Sequence, residues 1–81
     1  MKNPTRLNLG CGNEYKNGWI NVDILKSVKA DKHFDLNSVP YPFKTGQFGE
    51  VLMKMVLEHL NEPLKVLKEI IRISKNNAKL G

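Results

Sequence analysis

One cysteine among 81 residues excludes an internal disulfide, and neither CxxC nor the Cys/His spacing of a zinc site is present. The expectation is a protein of a reducing compartment, cytoplasmic, with no metal site. The N-terminal stretch MKNPTRLNLG lacks the apolar core of a signal peptide, and no uninterrupted apolar run approaches membrane-spanning length, so no membrane partner is expected. No Lys/Arg run exceeds one residue, although thirteen basic against eight acidic side chains give a net charge of +5. Dispersed in this way, the charge reads as a solvated exterior with a weak lean towards anionic partners. A GKS/GKT phosphate loop is missing, as are repeats, low-complexity tracts and an interdomain linker. A chain this short buries roughly 60% of the surface its unfolded form exposes, which allows one domain, residues 1–81, and leaves no room for a second.

What is present reads as an α/β layer. Arg6-Leu7-Asn8-Leu9 makes a brief apolar strand that stops at Gly10, and Trp19-Ile20-Asn21-Val22 a second that closes at Asp23. Val28 to Leu36 alternates weakly and is expected to form a third, edge-like strand with lysines on it. Asn37 to Gly49, with two prolines and two glycines, is a loop that still packs Val39, Tyr41 and Phe43. Glu50 to Val56 is nearly continuous in apolar residues, as a central parallel strand buried on both faces would be. From Asn61, as N-cap, a helix is expected to run through Pro63 to about Lys75 and to exit at Asn76-Asn77. Its stripe of Leu64, Leu67, Ile70, Ile71 and Ser74 would cover the sheet. The nine residues Gly10 to Gly18 are short for a parallel crossover, so an extended loop or a different pairing must follow the first strand.

The chemistry gathers at "LNLGCGNEYKNGWINVDI". Glycines at the carboxyl end of a first parallel strand let backbone approach a ligand, and a carboxylate ending the second strand can accept hydrogen bonds from a ribose diol. Gly10, Gly12 and Asp23 have that arrangement. A dinucleotide fingerprint would put a third glycine at Tyr15 and an acid roughly 20 residues on, and neither is found, which counts against NAD(P) and FAD. Cys11 reads as a small side chain in a crowded turn, with no base beside it to make it a nucleophile.

Taken in order, "LNLGCG", "INVDI", "FDLNSVPYPF", "FGEVLMKMVLEHL" and "NEPLKVLKEIIRIS" resemble the Rossmann-like S-adenosylmethionine-dependent methyltransferases, from Arg6 to about Leu80. The resemblance implies a partial Rossmann-like sheet, mostly parallel, of about four strands with a C-terminal covering helix. It implies S-adenosylmethionine as cofactor. Gly10, Cys11 and Gly12 would lie along its methionine part, Asp23 on the ribose hydroxyls with Ile24 beside adenine, Asp35 on the adenine amino group with Leu36 next to it, and Met53 near the methionine end. Glu58 and His59 are weak candidates for proton work, since a sulfonium methyl asks mainly for in-line positioning. Asn8 stands where the family carries an acid, Gly49 where an aspartate opens the fourth strand, and Lys54 where a small or polar residue sits. "ISKNNAKLG" resembles the family's LKPGGxL turn without its proline and glycines, and the resemblance ends where a fifth strand would begin. The expectation is therefore the cofactor-binding half of a methyltransferase, truncated after the fourth strand and its helix, acting on an unknown acceptor. A sheet edge and one flank of the strongest strand would be uncovered, favouring a homodimer or a companion chain. The alternatives are a non-catalytic methyltransferase-like module for self-association or partner binding, and a small basic nucleic-acid-binding domain; against the latter stand six aromatics without interleaved basic residues.

Overall fold

The computed structural model describes residues 5–53 and 60–81. Their elements are β1 (Arg6–Leu9), β2 (Ile20–Val22), β3 (Phe48–Met53), α1 (Pro63–Ile73) and β4 (Ser74–Leu80). The strands form one sheet in the order β2-β1-β3-β4, and every pairing is parallel. This is the partial Rossmann-like α/β arrangement expected. Among the described residues no helix is long and apolar enough to cross a membrane.

The pleat divides the sheet into two unlike faces. Leu7, Leu9, Val22 and Val51 point to one face and meet Val66, Ile70 and Ile73 of α1, with Phe48, Tyr41, Phe43 and Leu36 completing the core. The opposite face carries Asn8 and Asn21, direct partners in the β1–β2 register, and Arg6 paired with Glu50 at 3.3 Å. No helix lies between β1 and β2 to cover that second face. The short crossover is the extended loop, held by polar side chains where a longer connection would use apolar ones.

Four expectations are corrected. Val28 to Leu36 is not a strand: it contributes one isolated parallel bridge, Val22 to Lys32. The reason lies in Asp31, whose carboxylate accepts the Asn21 N–H at 2.7 Å and so takes the place of a ladder carbonyl. The helix starts at Pro63 behind Glu62 rather than Asn61, and it stops at Ile73. There Ser74 Oγ donates to the Ile70 carbonyl at 2.6 Å while its backbone turns extended, and Asn76-Asn77, expected as a helix exit, lie within β4. β4 pairs with β3, so the flank of the strongest strand expected to be bare is covered. That strand itself begins earlier, at Phe48; its expected end at Lys54 to Val56 falls outside the described residues.

The fourth correction concerns the buried stripe of α1. Val66, Glu69, Ile70 and Ile73 face the core, whereas Leu64 is 75% and Ile71 65% exposed. A carboxylate inside the stripe disguises it: the sequence shows a leucine-rich face, and the structure buries the face that carries Glu69. Trimming Ile70 to valine is expected to cost about 0.5–1.5 kcal/mol. Truncating Leu64 to alanine should stay within about 0.5 kcal/mol, as for surface changes generally. Urea unfolding of both variants checks the orientation, and the reverse order would restore the leucine face to the core.

Candidate functional site

The carboxyl ends of β1 and β3 open onto a cleft of about 280 Å³ lined by Asn8, Gly10, Cys11, Gly12, Asn13, Glu14, Lys16 and Leu52. Its rim is the loop leaving β1. Gly10 and Cys11 donate their N–H groups to the Val22 carbonyl at 2.8 and 3.1 Å, which binds the loop across the end of β2. Gly10 and Gly12 have φ of 69° and 52°, the left-handed region that glycine enters freely. A Cβ on Gly12 would meet nothing within 4 Å, so the backbone there faces open space in which a ligand can come close.

Asp23 binds this loop to the second strand. Its Oδ2 accepts the Gly12 N–H at 2.9 Å and its Oδ1 the Leu25 N–H at 2.9 Å, with the side chain nearly buried. Two oxygens offer about four acceptor positions, so two remain for hydroxyl donors. The glycine loop and the carboxylate that the sequence singles out are thus in direct contact.

Cys11 is buried, and its thiol donates to the Lys29 carbonyl at 3.5 Å. Burial, with the Asp23 charge adding to it, pushes the thiol's ionisation up, which keeps it a packing group. Ile24 is 55% exposed beside Asp23. Asp35 closes an Asx turn, its Oδ1 accepting the Asn37 N–H at 2.9 Å, and Leu36 is buried in the core. Met53, at the end of β3, packs partly buried against the core. None of Asp23, Ile24, Asp35, Leu36 and Met53 lines the cleft wall itself. Glu58 and His59 lie outside the described residues. Among the described residues no group of three His, Cys, Asp or Glu side chains could hold a metal ion.

Sequence reasoning overlooked the polar group that shapes the cleft from below. Asn21, wholly buried, accepts from the Lys16 N–H and from Asn8 Nδ2, both at 2.9 Å, and its own Nδ2 reaches the carbonyls of Lys16 and Trp19 at 2.9 and 3.0 Å. The other contact of Asn8 Nδ2 is the Glu14 carbonyl at 3.0 Å. Asp31 supports Asn21 from outside and also takes the Tyr15 hydroxyl at 2.8 Å, while Lys29 lies over the Tyr15 ring. Backbone donation from Asn21 above all, together with the Tyr15 hydroxyl, holds the Asp31 carboxyl below the ordinary range despite some desolvation. This explains why an amide replaces the acid at Asn8. Two acceptors, Glu14 O and Asn21 Oδ1, face it, and a carboxylate there would repel both. A signal existed: an asparagine in the middle of each of two apolar strands, on the same face once the strands pair in parallel.

Comparison with known proteins agrees with this architecture. An uncharacterized protein of Methanocaldococcus jannaschii is 44% identical over 62 residues, a span covering 75% of this chain and 27% of that protein. The crystal structure of a SAM-dependent methyltransferase from Aquifex aeolicus superposes with a TM-score of 0.71 at 21% identity, over 95% of this chain and 54% of that one, and so shares the fold. The chain therefore spans about a quarter of the first relative's length and about half of the second's. The family model described as a methyltransferase domain matches residues 7–80, and the chain belongs to that family.

Proposed function

We propose that this chain forms the cofactor-binding half of an S-adenosylmethionine-dependent methyltransferase acting on an unknown acceptor, with the net positive charge giving a weak lean towards an anionic one. The observation that carries the reading is the Asp23 to Gly12 bond at 2.9 Å, which fixes a ribose-type acceptor against a glycine loop with open space in front of it. Glycine loop and acid together fit the cofactor's shape: Gly10, Cys11 and Gly12 would flank the methionine part, Asp23 would accept the ribose diol, and Ile24 would cover adenine. Asp35 and Leu36 would bound the adenine edge, and Met53 would border the methionine end. When bound, the cofactor supplies an electrophilic methyl on a sulfonium. The chain's own task is to hold that methyl in line with a nucleophile and keep water from the site. No triad is needed for this, and the described residues show none near the cleft.

The partner expected from the sequence is a second polypeptide chain, a second copy or a companion chain. Leu64, Ile71 and Leu80, each more than half exposed, support association on the α1 and β4 side. Light scattering that finds only monomer at high concentration would argue against a second copy.

Calorimetric titration with S-adenosylmethionine and S-adenosylhomocysteine, with NAD as the control, tests the cofactor reading. Saturable binding of both is expected, with NAD silent. Asp23→Ala should weaken binding about tenfold or more, the scale for losing charge-assisted hydrogen bonds to two hydroxyls. A circular-dichroism melt of the variant verifies that it is folded. Silence towards both cofactor forms from a folded chain would leave the non-catalytic module as the better reading.

A further inference from the structure

The dipeptide Asp35-Leu36 sits in a turn that is anchored from two sides. Within the turn, Asp35 Oδ1 accepts the Asn37 N–H and side-chain amide at 2.9 and 3.1 Å, and the Ser38 N–H donates to the Asp35 carbonyl at 2.9 Å. From one side, the Tyr41 hydroxyl donates to the Leu36 carbonyl at 2.7 Å. From the other, Asn37 Oδ1 accepts the Asn61 N–H at 2.8 Å. Tyr41 is itself fixed by the helix, for its N–H donates to Glu69 Oε2 at 2.6 Å and its ring lies 5.3 Å from that of Phe34. A line of bonds thus runs from α1 through Tyr41 to the turn.

We propose that the buried hydroxyl of Tyr41 is a positioning group for the adenine end of the site, setting through the Leu36 carbonyl where Asp35 meets the base. This rests on the cofactor reading above. Packing alone does not account for the hydroxyl. A phenylalanine would fill the same space among Leu36, Phe34 and Phe43, and the one thing the oxygen adds is a bond to the main chain between Leu36 and Asn37. That bond fixes the Leu36–Asn37 peptide plane, whose own N–H donates to Asp35 Oδ1 at 2.9 Å, so a small rotation of that plane swings the carboxylate along the adenine edge. Burial pushes the phenol's ionisation far above its ordinary value, so the donor persists across the working pH range.

The test compares two ligands that differ only at the adenine edge: S-adenosylhomocysteine, and S-inosylhomocysteine, whose base carries an oxygen where adenine carries its amino group. Calorimetry of the wild type is expected to show a preference for the adenine form. Tyr41→Phe should weaken the adenine form about fivefold, the scale of one hydrogen bond, and the inosine form little, so that the preference narrows. A purely structural hydroxyl would lower the melting temperature and leave the ratio of the two affinities unchanged, and that result overturns the proposal. Asn37→Ala loosens the same turn from its half-buried side without touching the core; it should narrow the ratio as well, and it serves if Tyr41→Phe does not fold. A wild type that binds neither ligand removes the cofactor reading and this inference together. A wild type that discriminates, beside a folded variant that discriminates equally, removes this inference alone.

Discussion

Replacing Asn21 by alanine is expected to cost about 3–5 kcal/mol, since it strands one buried and two part-buried polar groups at about 1–3 kcal/mol each. The groups are the Lys16 N–H, the Lys16 carbonyl and one amide hydrogen of Asn8, all of which Asn21 now satisfies at 2.9 Å. Set against a total stability of about 4–12 kcal/mol for a chain of this size, that loss removes from about a quarter of the total to all of it. Urea unfolding followed by circular dichroism measures it. Asn8→Asp isolates the cause. At neutral pH its carboxylate would face the Glu14 carbonyl and Asn21 Oδ1 with nothing to donate, and a protonated carboxyl at low pH recovers one donor. The variant should therefore be weakest at pH 7 and gain on the wild type towards pH 4. Equal stability of wild type and both variants would mean that the β1–β2 crossover holds itself without the asparagine pair.

The same pair shows why part of this fold can be read from sequence and part cannot. β1 and β2 announce themselves because short β-rich runs ending in glycine or acid have few other readings; the core of β3 shows as a nearly continuous apolar run, a pattern a helix can share, and the glycine loop with Asp23 follows from where parallel strands end. The family resemblance from "LNLGCG" to "LKEIIRI" rested on order and spacing, and the match over residues 7–80 bears it out. What failed was whatever depended on a polar side chain replacing backbone or apolar contacts. Val28 to Leu36 has the alternation of an edge strand, yet Asp31 supplies its carboxylate to the Asn21 N–H, so pairing shrinks to a single bridge. The stretch SKNNAKL has neither the alternation nor the β-branched residues of a strand, and its exposed Lys75, Asn76, Asn77 and Lys79 gave no hint of one. It pairs because β3 offers an open flank and because α1 delivers the chain there, which is tertiary context overriding propensity.

The site is legible to a lesser degree. Glycine and carboxylate positions carry over residue by residue because their roles need particular backbone geometry and charge. The cleft wall does not carry over, since Asn13, Glu14 and Lys16 enter it only through a crossover shorter than the covering helix it replaces. A loop of that length has to be stitched by side chains, and the stitching residues, Asn8, Asn21 and Asp31, look unremarkable one at a time in the sequence.

Glu69→Ala should be the other large loss, about 2–4 kcal/mol. It lies at or below the range for breaking a buried ion pair, because the Arg72 side chain keeps 32% of its exposure and water can reach it. Glu69 is the buried member at 8% side-chain exposure, and Arg72 binds it through Nε at 2.7 Å and Nη2 at 2.6 Å. Arg72 also donates to the Phe43 carbonyl at 3.0 Å and to Thr45 Oγ1 at 3.1 Å, and its own carbonyl accepts the Gly46 N–H at 2.8 Å. Removing the carboxylate thus leaves the guanidinium without its anion, strands the Tyr41 N–H and loosens residues 41–46, which keep the Arg72 bonds to α1. The pH dependence has a definite sign. Arg72 first, with the Tyr41 N–H helping and burial opposing, holds the Glu69 carboxyl below its ordinary range. An acid with a lowered folded value contributes stability above its unfolded value of about 4.3, and loses it as pH falls through the folded value. Wild type should therefore weaken steadily from about pH 4 downward, and Glu69→Gln, which keeps an acceptor without the charge, should weaken less over the same span. Asp31, lowered for its own reasons, adds an acid loss common to both proteins, so the difference between them belongs to Glu69. Urea midpoints at pH 7 and pH 3 decide the matter: parallel acid curves for the two proteins, or a Glu69→Ala variant as stable as wild type, would show that the helix does not clamp the loop through this pair.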